Sequence, residues 1–593
     1  MILLTTLNSK YIQTSLALYT LKAYCRREFP EISLLEFNIN QDLGWILAQI
    51  YQRRPAVVGL STNIWNVTQH LELVNRLKKV LPETVVIMGG PEVSANPHEI
   101  MGEEPGIDYI VRGEGEETLL ELLRYLVHGE GEISDILGLA YWEGTQIKDT
   151  PNRALLRDLA VIPFPYEDLS LFKNRLVYYE SSRGCLFNCA YCLSGWGEGQ
   201  VRYLPVGRVK ADLARFVQAG IKTVKFVDRT FNSHRERALE ILRYIREEGG
   251  DTEFHLELVG ELLGEEEIAI LTSAPAGRFR AEIGVQSTCI RTLREIRRFH
   301  NLDKLKKNIS LLTTAGRTVT HLDLIAGLPY EDLTSLAASF NFTFRLRPDE
   351  LQLGFLKLLK GSPLRARSGD YGYQFTKTPP YEVLANNCLS YEEIVRIKVI
   401  EDLVEKFYNS HHFQHTLGYL FRGEAPLPWD FFRLLGSYWE EQGLTGGSLK
   451  LADLFDRFFL FLQSAKVALG IEDNELSALT DLLTLDFHLI QRGGAGPSWL
   501  RTEDRDLRER LLAVLALKGG ENRKDAQIIK DRLGIEPMVI PQTDWKRRVK
   551  FFTFAVDPES GVEEETIVLV HTPVVGGSSW YKLPADFMLV EES

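Results

Sequence analysis

Three cysteines within eight residues are the sequence feature that most constrains this chain. Cys185, Cys189 and Cys192 have the spacing C-x3-C-x2-C within the segment SSRGCLFNCAYC. The whole chain of 593 residues has only six cysteines, and the other three are scattered. So low a content excludes a secreted protein built on disulfides, and a tight cluster in a reducing compartment favours a metal site.

Three thiolates on one short loop suit a [4Fe–4S] cluster in which the fourth iron has no protein ligand. Such an open iron can bind a substrate or cofactor, as an open zinc position does. Structural zinc is the competing interpretation, but it prefers four ligands in two pairs, and no nearby Cys or His completes a second pair. Three buried core cysteines are a further alternative, for which Gly184 and Asn188 are a poor context.

Length and composition indicate a large globular protein. A chain of 593 residues predicts about three or four domains of ~150 residues. The 45% hydrophobic and 25% charged content excludes disorder, coiled coil and collagen for its bulk. The net charge of −13 argues against a protein that coats nucleic acid or anionic lipid. No signal peptide and no apolar run of ~18–20 residues is present, so we expect a cytoplasmic protein without a membrane segment.

The pattern along the chain predicts an α/β protein with a helical C-terminal part. Residues 1–150 alternate short apolar strands with amphipathic helices, which predicts a doubly wound, Rossmann-like parallel sheet. A proline-containing linker spans residues 151–172, and six β-α repeats in residues 173–370 predict a partial (β/α)6-type barrel. Residues 371–593 are mainly helical, with some β structure near 549–590.

Three glycine-containing loops follow predicted strands of the first domain. They are GLSTNIW (59–65), GGPEVS (89–94) and RGEGEE (112–117). Doubly wound sheets bind ligands at the carboxyl ends of their strands, and glycines let the backbone approach a bulky ligand. The fingerprint G-x-G-x-x-G is absent after the first strand, which disfavours NAD or FAD. Purely structural tight turns are the alternative interpretation.

The cysteine loop resembles that of radical S-adenosylmethionine (SAM) enzymes, and the resemblance extends over residues 173–370. It implies that SAM binds the open iron and that reduction by the cluster cleaves SAM to methionine and a 5′-deoxyadenosyl radical. It further implies that the adenine lies beside Tyr191 and Ile325, the ribose near Glu257, and the SAM carboxylate near Arg298. The implied SAM contacts are Tyr191, Asp228, Thr230, Glu257, Gln286, Ser287, Arg298 and Ile325.

The loops of residues 1–140 are similar to those of the cobalamin-binding domain found before many radical SAM barrels. The resemblance implies that Ser61 and Thr62 lie near the buried nucleotide tail and that the glycines line its slot. The implied cobalamin contacts are Asn8, Tyr11, Ser61, Thr62, Asn63, Trp65, Gly89, Gly90, Pro91, Glu92, Gly113, Glu114, Gly115 and Glu116.

One departure concerns the lower face of cobalamin. Many domains of this kind supply a histidine ligand from D-x-H-x-x-G after the first strand, but this chain has no histidine before His70. We therefore expect cobalamin to be bound base-off and His-off, with Asn63, Ile64 or Trp65 over its lower face. The string Asp486-Phe487-His488 lacks the glycine and lies in a helical pattern, so we reject it as a substitute.

The C-terminal region resembles that of a subgroup of cobalamin-dependent radical SAM proteins in which this domain has no assigned function. A polar cluster, Tyr408, Asn409, His411 and His412, is interpreted as a turn after a helix, with a metal site as the alternative. A basic segment at 545–550 is interpreted as a solvated charge run, with binding of a phosphate-bearing substrate or RNA as the alternative.

The resemblances together imply an enzyme that methylates an unactivated carbon through a 5′-deoxyadenosyl radical and methylcobalamin. The alternative reactions are ring contraction, cyclisation or oxidation with the same cofactors, and a non-catalytic cobalamin and iron–sulfur protein is the non-enzymatic alternative. We expect a small-molecule substrate in preference to RNA, an electron donor such as flavodoxin or ferredoxin, and a monomer. The sequence singles out no catalytic residue beyond these contacts.

Overall fold

The computed structural model describes residues 1–195, 200–491 and 496–501, and in the C-terminal part residues 549–554, 558, 566–571 and 579–582. The basic segment at 545–550 thus lies outside the described residues except for its last two positions. The chain divides into two compact units, Met1–Ile394 and Val395–Ser593. No helix in the described parts is both long and apolar enough to cross a membrane.

The first unit begins with a seven-stranded sheet in the order β2-β1-β3-β4-β5-β6-β7. The first five strands are parallel and the last two are antiparallel. The strands are β1 Ile2–Asn8, β2 Ser33–Asn38, β3 Val57–Ser61, β4 Val85–Gly89, β5 Tyr109–Val111, β6 Leu139–Glu143 and β7 Gln146–Asp149. The helices are α1 Leu16–Cys25, α2 Leu43–Arg53, α3 Val67–Val80, α4 Pro91–Ser94, α5 Pro97–Glu103 and α6 Gly115–Leu123.

This topology confirms the predicted doubly wound sheet. Strand β1 is buried along its whole length because helices cover both of its faces. Leu3 and Leu7 pack into the core on one face, and Ile2 and Leu4 pack into the core on the other. The strand order reverses between β1 and β3, which is the point where such sheets bind ligands.

The second sheet has six parallel strands in the order β15-β14-β13-β12-β11-β8, with helices between them, which confirms the predicted partial barrel. Its strands are β8 Leu176–Tyr179, β11 Thr223–Phe226, β12 Glu253–Leu258, β13 Phe279–Gln286, β14 Val319–Ala326 and β15 Glu350–Phe355. A short antiparallel pair, β9 Ser182–Arg183 and β10 Arg202–Tyr203, brackets the cysteine loop. The helices are α7 Val206–Gln218, α8 Arg235–Glu248, α9 Glu265–Ser273, α10 Ile290–Glu295, α11 Leu302–Ala315 and α12 Leu333–Arg345.

Burial alternates along five of the barrel strands, β8, β11, β12, β13 and β14. In β13, Phe279, Ala281 and Ile283 are fully buried, whereas Arg280 and Glu282 between them are partly exposed. The apolar set faces the helices, so the polar set lines the inner face of the sheet.

The first unit ends with helix α13 Pro363–Ala366 and the strand pair β16 Gln374–Phe375 and β17 Val383–Ala385. Helix α14, Tyr391–Val404, crosses the boundary between the two units. The second unit continues with α15 Gln414–Leu420, α16 Pro428–Glu441, α17 Leu451–Leu469 and α18 Asp473–Ile490. The strands described in this unit form one antiparallel sheet and are β18 Val549–Phe554, β19 Thr566–His571 and β20 Ser579–Lys582.

The second unit is held together by aromatic packing. Phe407, Phe413, Phe455 and Phe458 form a chain of ring contacts, with centroids 4.3 to 5.0 Å apart. The rejected histidine, His488, stacks on Phe552, and burial lowers its pKa to about 4. The structure thus places this side chain in packing.

The polar cluster at 408–412 lies at the end of a helical turn. The side chain of Asn409 donates to Glu405, and the side chain of Gln414 lies 3.0 Å from Nδ1 of His411. In the described parts of the chain no group of three His, Cys, Asp or Glu side chains is arranged to hold a metal ion.

Candidate functional site

The cysteine loop is folded tightly against itself. Gly184 has φ +95°, and a Cβ on it would lie 2.7 Å from the carbonyl oxygen of Gln200. A Cβ on Gly195 would lie 1.8 Å from the carbonyl oxygen of Phe187. Only glycine fits at these two approaches, so the loop returns on itself and carries all three cysteines at the carboxyl end of β8.

The surroundings of the sulfur atoms fit thiolate ligands of an iron–sulfur cluster. The backbone N–H groups of Phe187 and Ser194 donate to Cys185 Sγ and Cys192 Sγ, both at 3.4 Å. Hydrogen bonds to sulfur are a usual feature of such clusters. Burial raises the pKa of the Cys189 thiol, and the neighbouring Arg298 opposes this by favouring the thiolate.

Three of the expected SAM contacts, Tyr191, Thr230 and Arg298, lie beside the cysteines. The guanidinium of Arg298 interacts with Cys189 and Tyr191, and it donates to the carbonyl of Gly284 at 2.9 Å. Oγ1 of Thr230 lies 3.6 Å from Cys185 Sγ. Their contact with SAM stays a prediction.

Two other expected SAM contacts are occupied by protein partners. The carboxylate of Asp228 is fully buried and accepts hydrogen bonds from the backbone of Ser181 and from the hydroxyls of Ser181 and Ser182, at 2.6 to 2.7 Å. The hydroxyl of Ser287 donates to the buried Glu331 at 2.5 Å. Their direct role in binding SAM stays a prediction, and their visible role is to fix the strand ends.

The remaining expected SAM contacts lie on the inner face of the barrel. Burial raises the pKa of Glu257 to about 7, although Arg229 lies 3.8 Å away. Gln286 ends β13 with φ +65°, and its Oε1 is buried without a hydrogen-bond partner among the described residues. Ile325 is one of the partly exposed positions of β14. An unpaired buried amide oxygen is expected where a ligand supplies the missing donor.

A cavity of about 330 Å³ lies at the strand ends of the first sheet. A Cβ on Gly59 would lie 2.6 Å from the side chain of Leu4, and one on Gly90, at φ +116°, would lie 2.2 Å from the carbonyl oxygen of Thr62. These glycines keep the space open and let two loops meet, which fits a buried nucleotide tail. The expected cobalamin residues that line the cavity are Ser61, Gly89, Gly90, Gly113, Glu114, Gly115 and Glu116.

The other expected cobalamin residues lie around this edge but outside the cavity. Thr62 is fully buried, and Trp65 is half-exposed with its indole N–H bonded to the carbonyl of Leu7. Glu92 is buried, and its carboxylate accepts from the hydroxyl of Tyr381 beyond the barrel. Asn8 is buried, Asn63 is partly buried, and Tyr11 and Pro91 are exposed. Their contacts with cobalamin stay predictions.

The loop after β5 is joined to the cysteine loop by ion pairs. The guanidinium of Arg183 lies 2.5 Å from Glu116 and 2.8 Å from Glu180, and that of Arg202 lies 2.6 Å from Glu114. Pairing of β9 with β10 places the two arginines side by side. Glu114 and Glu116, expected to contact cobalamin, thus also connect its domain to the barrel.

The inner face of the barrel is charged, a feature that was not predicted from the sequence. Lys225 and His255 both lie 2.7 Å from Glu282, and against the effect of burial they hold the pKa of Glu282 below its usual range. Asp323 and Glu350 raise the pKa of His321 to about 10, although burial alone would lower it. The signal was present, because each of these strands alternates charged with apolar residues.

Three family models match the chain. The B12 binding domain matches residues 2–123, the radical SAM superfamily matches residues 179–343, and a protein family of unknown function, DUF4080, matches residues 369–570. The first two matches cover the strand-end cavity and the cysteine loop, and they support the expected cobalamin, SAM and [4Fe–4S] cofactors. The third agrees with the expected C-terminal domain without an assigned function.

An uncharacterized methyltransferase of Pyrococcus horikoshii is 30% identical over 338 residues, which are 55% of this chain and 72% of the relative. The cobalamin-dependent radical SAM methyltransferase TokK of Streptomyces tokunonensis is 26% identical over 33% of this chain and 30% of its own length. An anaerobic magnesium-protoporphyrin IX monomethyl ester cyclase of Synechocystis is 33% identical over 20% of this chain and 24% of its own length.

The fold is similar to that of a solved cobalamin-dependent SAM radical enzyme, OxsB with aqua-cobalamin bound. The TM-score is 0.58 at 15% identity, over 90% of this chain and 84% of that one. With both domain matches and the Pyrococcus relative, this chain belongs to the cobalamin-dependent radical SAM family. The family predicted from the cysteine loop and the glycine loops is confirmed.

Proposed function

We propose that this protein is a methyltransferase that acts on an unactivated carbon of a small molecule. When bound, the cluster and SAM supply a 5′-deoxyadenosyl radical, and cobalamin supplies the methyl group. Methyltransferase names among the relatives and the arrangement of the two cofactor regions support this proposal.

The observation that carries the proposal is the connection between the two cofactor regions. The loop that lines the cobalamin cavity contains Glu114 and Glu116, and both pair with Arg183, two residues before Cys185. Carbon methylation by two cofactors requires both of them to reach one substrate atom. Buried ion pairs that join the two loops keep the two sites adjacent.

The residues of the chain hold and enclose the reactants. Arg298, with its planar donor fork, is suited to a carboxylate beside the cysteines. Gly59 and Gly90 leave room for the nucleotide tail between the strand ends. The protein thus positions the cofactors, and the cofactors supply the chemistry of the reaction.

The test is a product analysis with anaerobically reconstituted protein, dithionite, deuteriomethyl SAM and an extract of small metabolites. Methylation predicts S-adenosylhomocysteine together with 5′-deoxyadenosine and a metabolite that gains a deuteriomethyl group. The Cys189→Ala variant, which lacks a proposed cluster ligand, provides the control and is expected to form none of these. Absence of S-adenosylhomocysteine from the wild-type reaction would overturn the proposal.

A cyclisation or oxidation with the same cofactors is the second candidate, since a relative is named as a cyclase. Such a reaction predicts 5′-deoxyadenosine without S-adenosylhomocysteine, so the same product analysis separates the two.

We further propose that cobalamin is bound base-off and without a histidine ligand. His70 is fully buried, with Nδ1 3.1 Å from Oγ1 of Thr62, and none of the described residues lining the cavity is a histidine. Asn63 and Trp65, at the same edge, are the candidates for the lower face. Electron paramagnetic resonance of the cob(II)alamin form tests this, because nitrogen splitting from an axial ligand would contradict it.

The electron donor, the monomeric state and the cytoplasmic location also stay predictions.

A further inference from the structure

A second cavity of about 330 Å³ lies where the cobalamin domain, the linker and the barrel meet. Its lining includes Glu114 from the first sheet, Leu155 from the linker, and Ser182 and Cys185 from the barrel. We name this space the junction cavity. It is bounded by a proposed cluster ligand on one side and by the loop of the cobalamin cavity on the other.

Three arginines line the junction cavity, and two of them are engaged. Arg183 and Arg202 are buried and make ion pairs of 2.5 to 2.8 Å with the surrounding glutamates. Arg229 differs, because its side chain is 54% exposed and its nearest ion-pair partner in the described part of the chain, Glu257, lies 3.8 Å away. Its donors are therefore available to a ligand.

The backbone that carries Arg229 is held rigidly. Asp228 before it is fully buried and bonded to Ser181 and Ser182, and Thr230 after it is buried beside Cys185. Arg229 therefore extends into the cavity from a fixed backbone position. Because this backbone is already ordered, only the side chain loses conformational entropy when it binds a ligand.

Glu257 does not neutralise Arg229 fully. Burial raises the pKa of Glu257 to about 7, so a large part of this side chain is protonated at neutral pH. The junction cavity therefore contains a cation with spare hydrogen-bond donors beside the proposed radical site, an arrangement that favours an anion.

We propose that Arg229 binds a carboxylate or phosphate group of the substrate in the junction cavity. This inference rests on the proposed function, because a substrate of that reaction must lie between the cluster loop and the cobalamin domain. The substrate class is then an anionic small molecule, held by a charge-assisted hydrogen bond while its reacting carbon faces the cofactors.

The carboxylate of SAM is the other source of the same chemistry near the cluster. The experiment therefore uses the fully reconstituted enzyme saturated with SAM, so that the SAM carboxylate already occupies its own site. The probes are inorganic phosphate, acetate and the neutral acetamide, and binding is measured by saturation-transfer and phosphorus nuclear magnetic resonance. A separate titration measures the affinity for SAM.

The variants are Arg229→Gln, Arg229→Lys and the control Arg235→Gln. Arg235 is a matched control because it is 56% exposed and both of its partners, Glu266 and the buried Glu267, lie outside the cavity. We expect phosphate or acetate, but not acetamide, to bind the wild type and Arg235→Gln. Binding should weaken about tenfold or more in Arg229→Gln and be partly restored in Arg229→Lys.

Anion binding that is equal in wild type and Arg229→Gln, or that is absent from both, would overturn the proposal. A loss of SAM affinity in Arg229→Gln with unchanged anion binding would assign Arg229 to SAM and also overturn it. The proposed methylation fails independently if the wild type binds the anions but forms no S-adenosylhomocysteine with the metabolite extract.

Discussion

Arg183 and Glu116 form an ion pair of 2.5 Å between the strand before the cysteine loop and the first turn of helix α6. Both side chains are largely buried, at 13% and 5% exposure. Because only Gly184 separates Arg183 from Cys185, this pair sets the position of the cluster loop relative to the cobalamin cavity. A contact between two distant segments of the chain thus defines the geometry of the site.

Replacing Arg183 by Gln should therefore destabilise the first unit and weaken cobalamin binding. Loss of one partner of a buried pair costs about 3–5 kcal/mol, since Glu116 and Glu180 would stay buried without their cation. Urea unfolding and cobalamin titration measure the two effects. The surface variant Arg243→Gln, which loses only an ion pair between two half-exposed side chains, should cost about 0–1 kcal/mol. Equal stability of the two variants would show that the Arg183 pair is not structural.

Replacing Cys185 by Ser should abolish cluster assembly. The loop offers three sulfur ligands, and the loss of one leaves two irons without protein ligands. Iron and sulfide analysis after reconstitution should show a large loss, and formation of 5′-deoxyadenosine should cease. Cys289→Ser is the control, because Cys289 lies outside the loop, and it should retain the cluster. Full iron content in Cys185→Ser would contradict the ligand assignment.

Replacing Gly90 by Ala should disrupt the cobalamin cavity. The residue has φ +116°, and a Cβ would lie 2.2 Å from the carbonyl oxygen of Thr62. The backbone strain alone costs about 1–3 kcal/mol, and the loops after β3 and β4 must move apart to relieve the clash. Cobalamin titration should show weaker binding. Gly102→Ala meets nothing within 4 Å and should bind cobalamin like the wild type.

His70 should make the first unit less stable as the pH falls. Burial lowers its pKa in the folded chain to about 3, so only the unfolded chain takes up the proton below the ordinary value near 6.5. The free energy of unfolding should then fall by roughly 1.4 kcal/mol per pH unit below about pH 6. Urea unfolding at two pH values measures this slope. His70→Leu should have a flatter slope, whereas the exposed His98→Gln should keep it.

The sequence determined the family and the two folds because their signals are local. The spacing of Cys185, Cys189 and Cys192 places three thiols on one loop, whatever the rest of the chain does. Glycines at strand ends and alternating apolar runs predict the sheet edge and the barrel strands from neighbouring residues alone. The sequence predicts that Gly90 lines a ligand slot, and in the fold a Cβ at this position would lie 2.2 Å from the carbonyl oxygen of Thr62.

The tertiary structure alone decided what each polar side chain of the site contacts. The carboxylates of Asp228, Glu114 and Glu116 can bind either a ligand or another side chain of the protein. The sequence shows only the residue type, so it could not separate these two roles. In the fold they pair with Ser181, Arg202 and Arg183, which lie between 47 and 88 positions away along the chain, and Arg229 keeps its donors available. Hydrogen bonds and ion pairs depend on distance in space, and only packing of the two sheets brings these groups together.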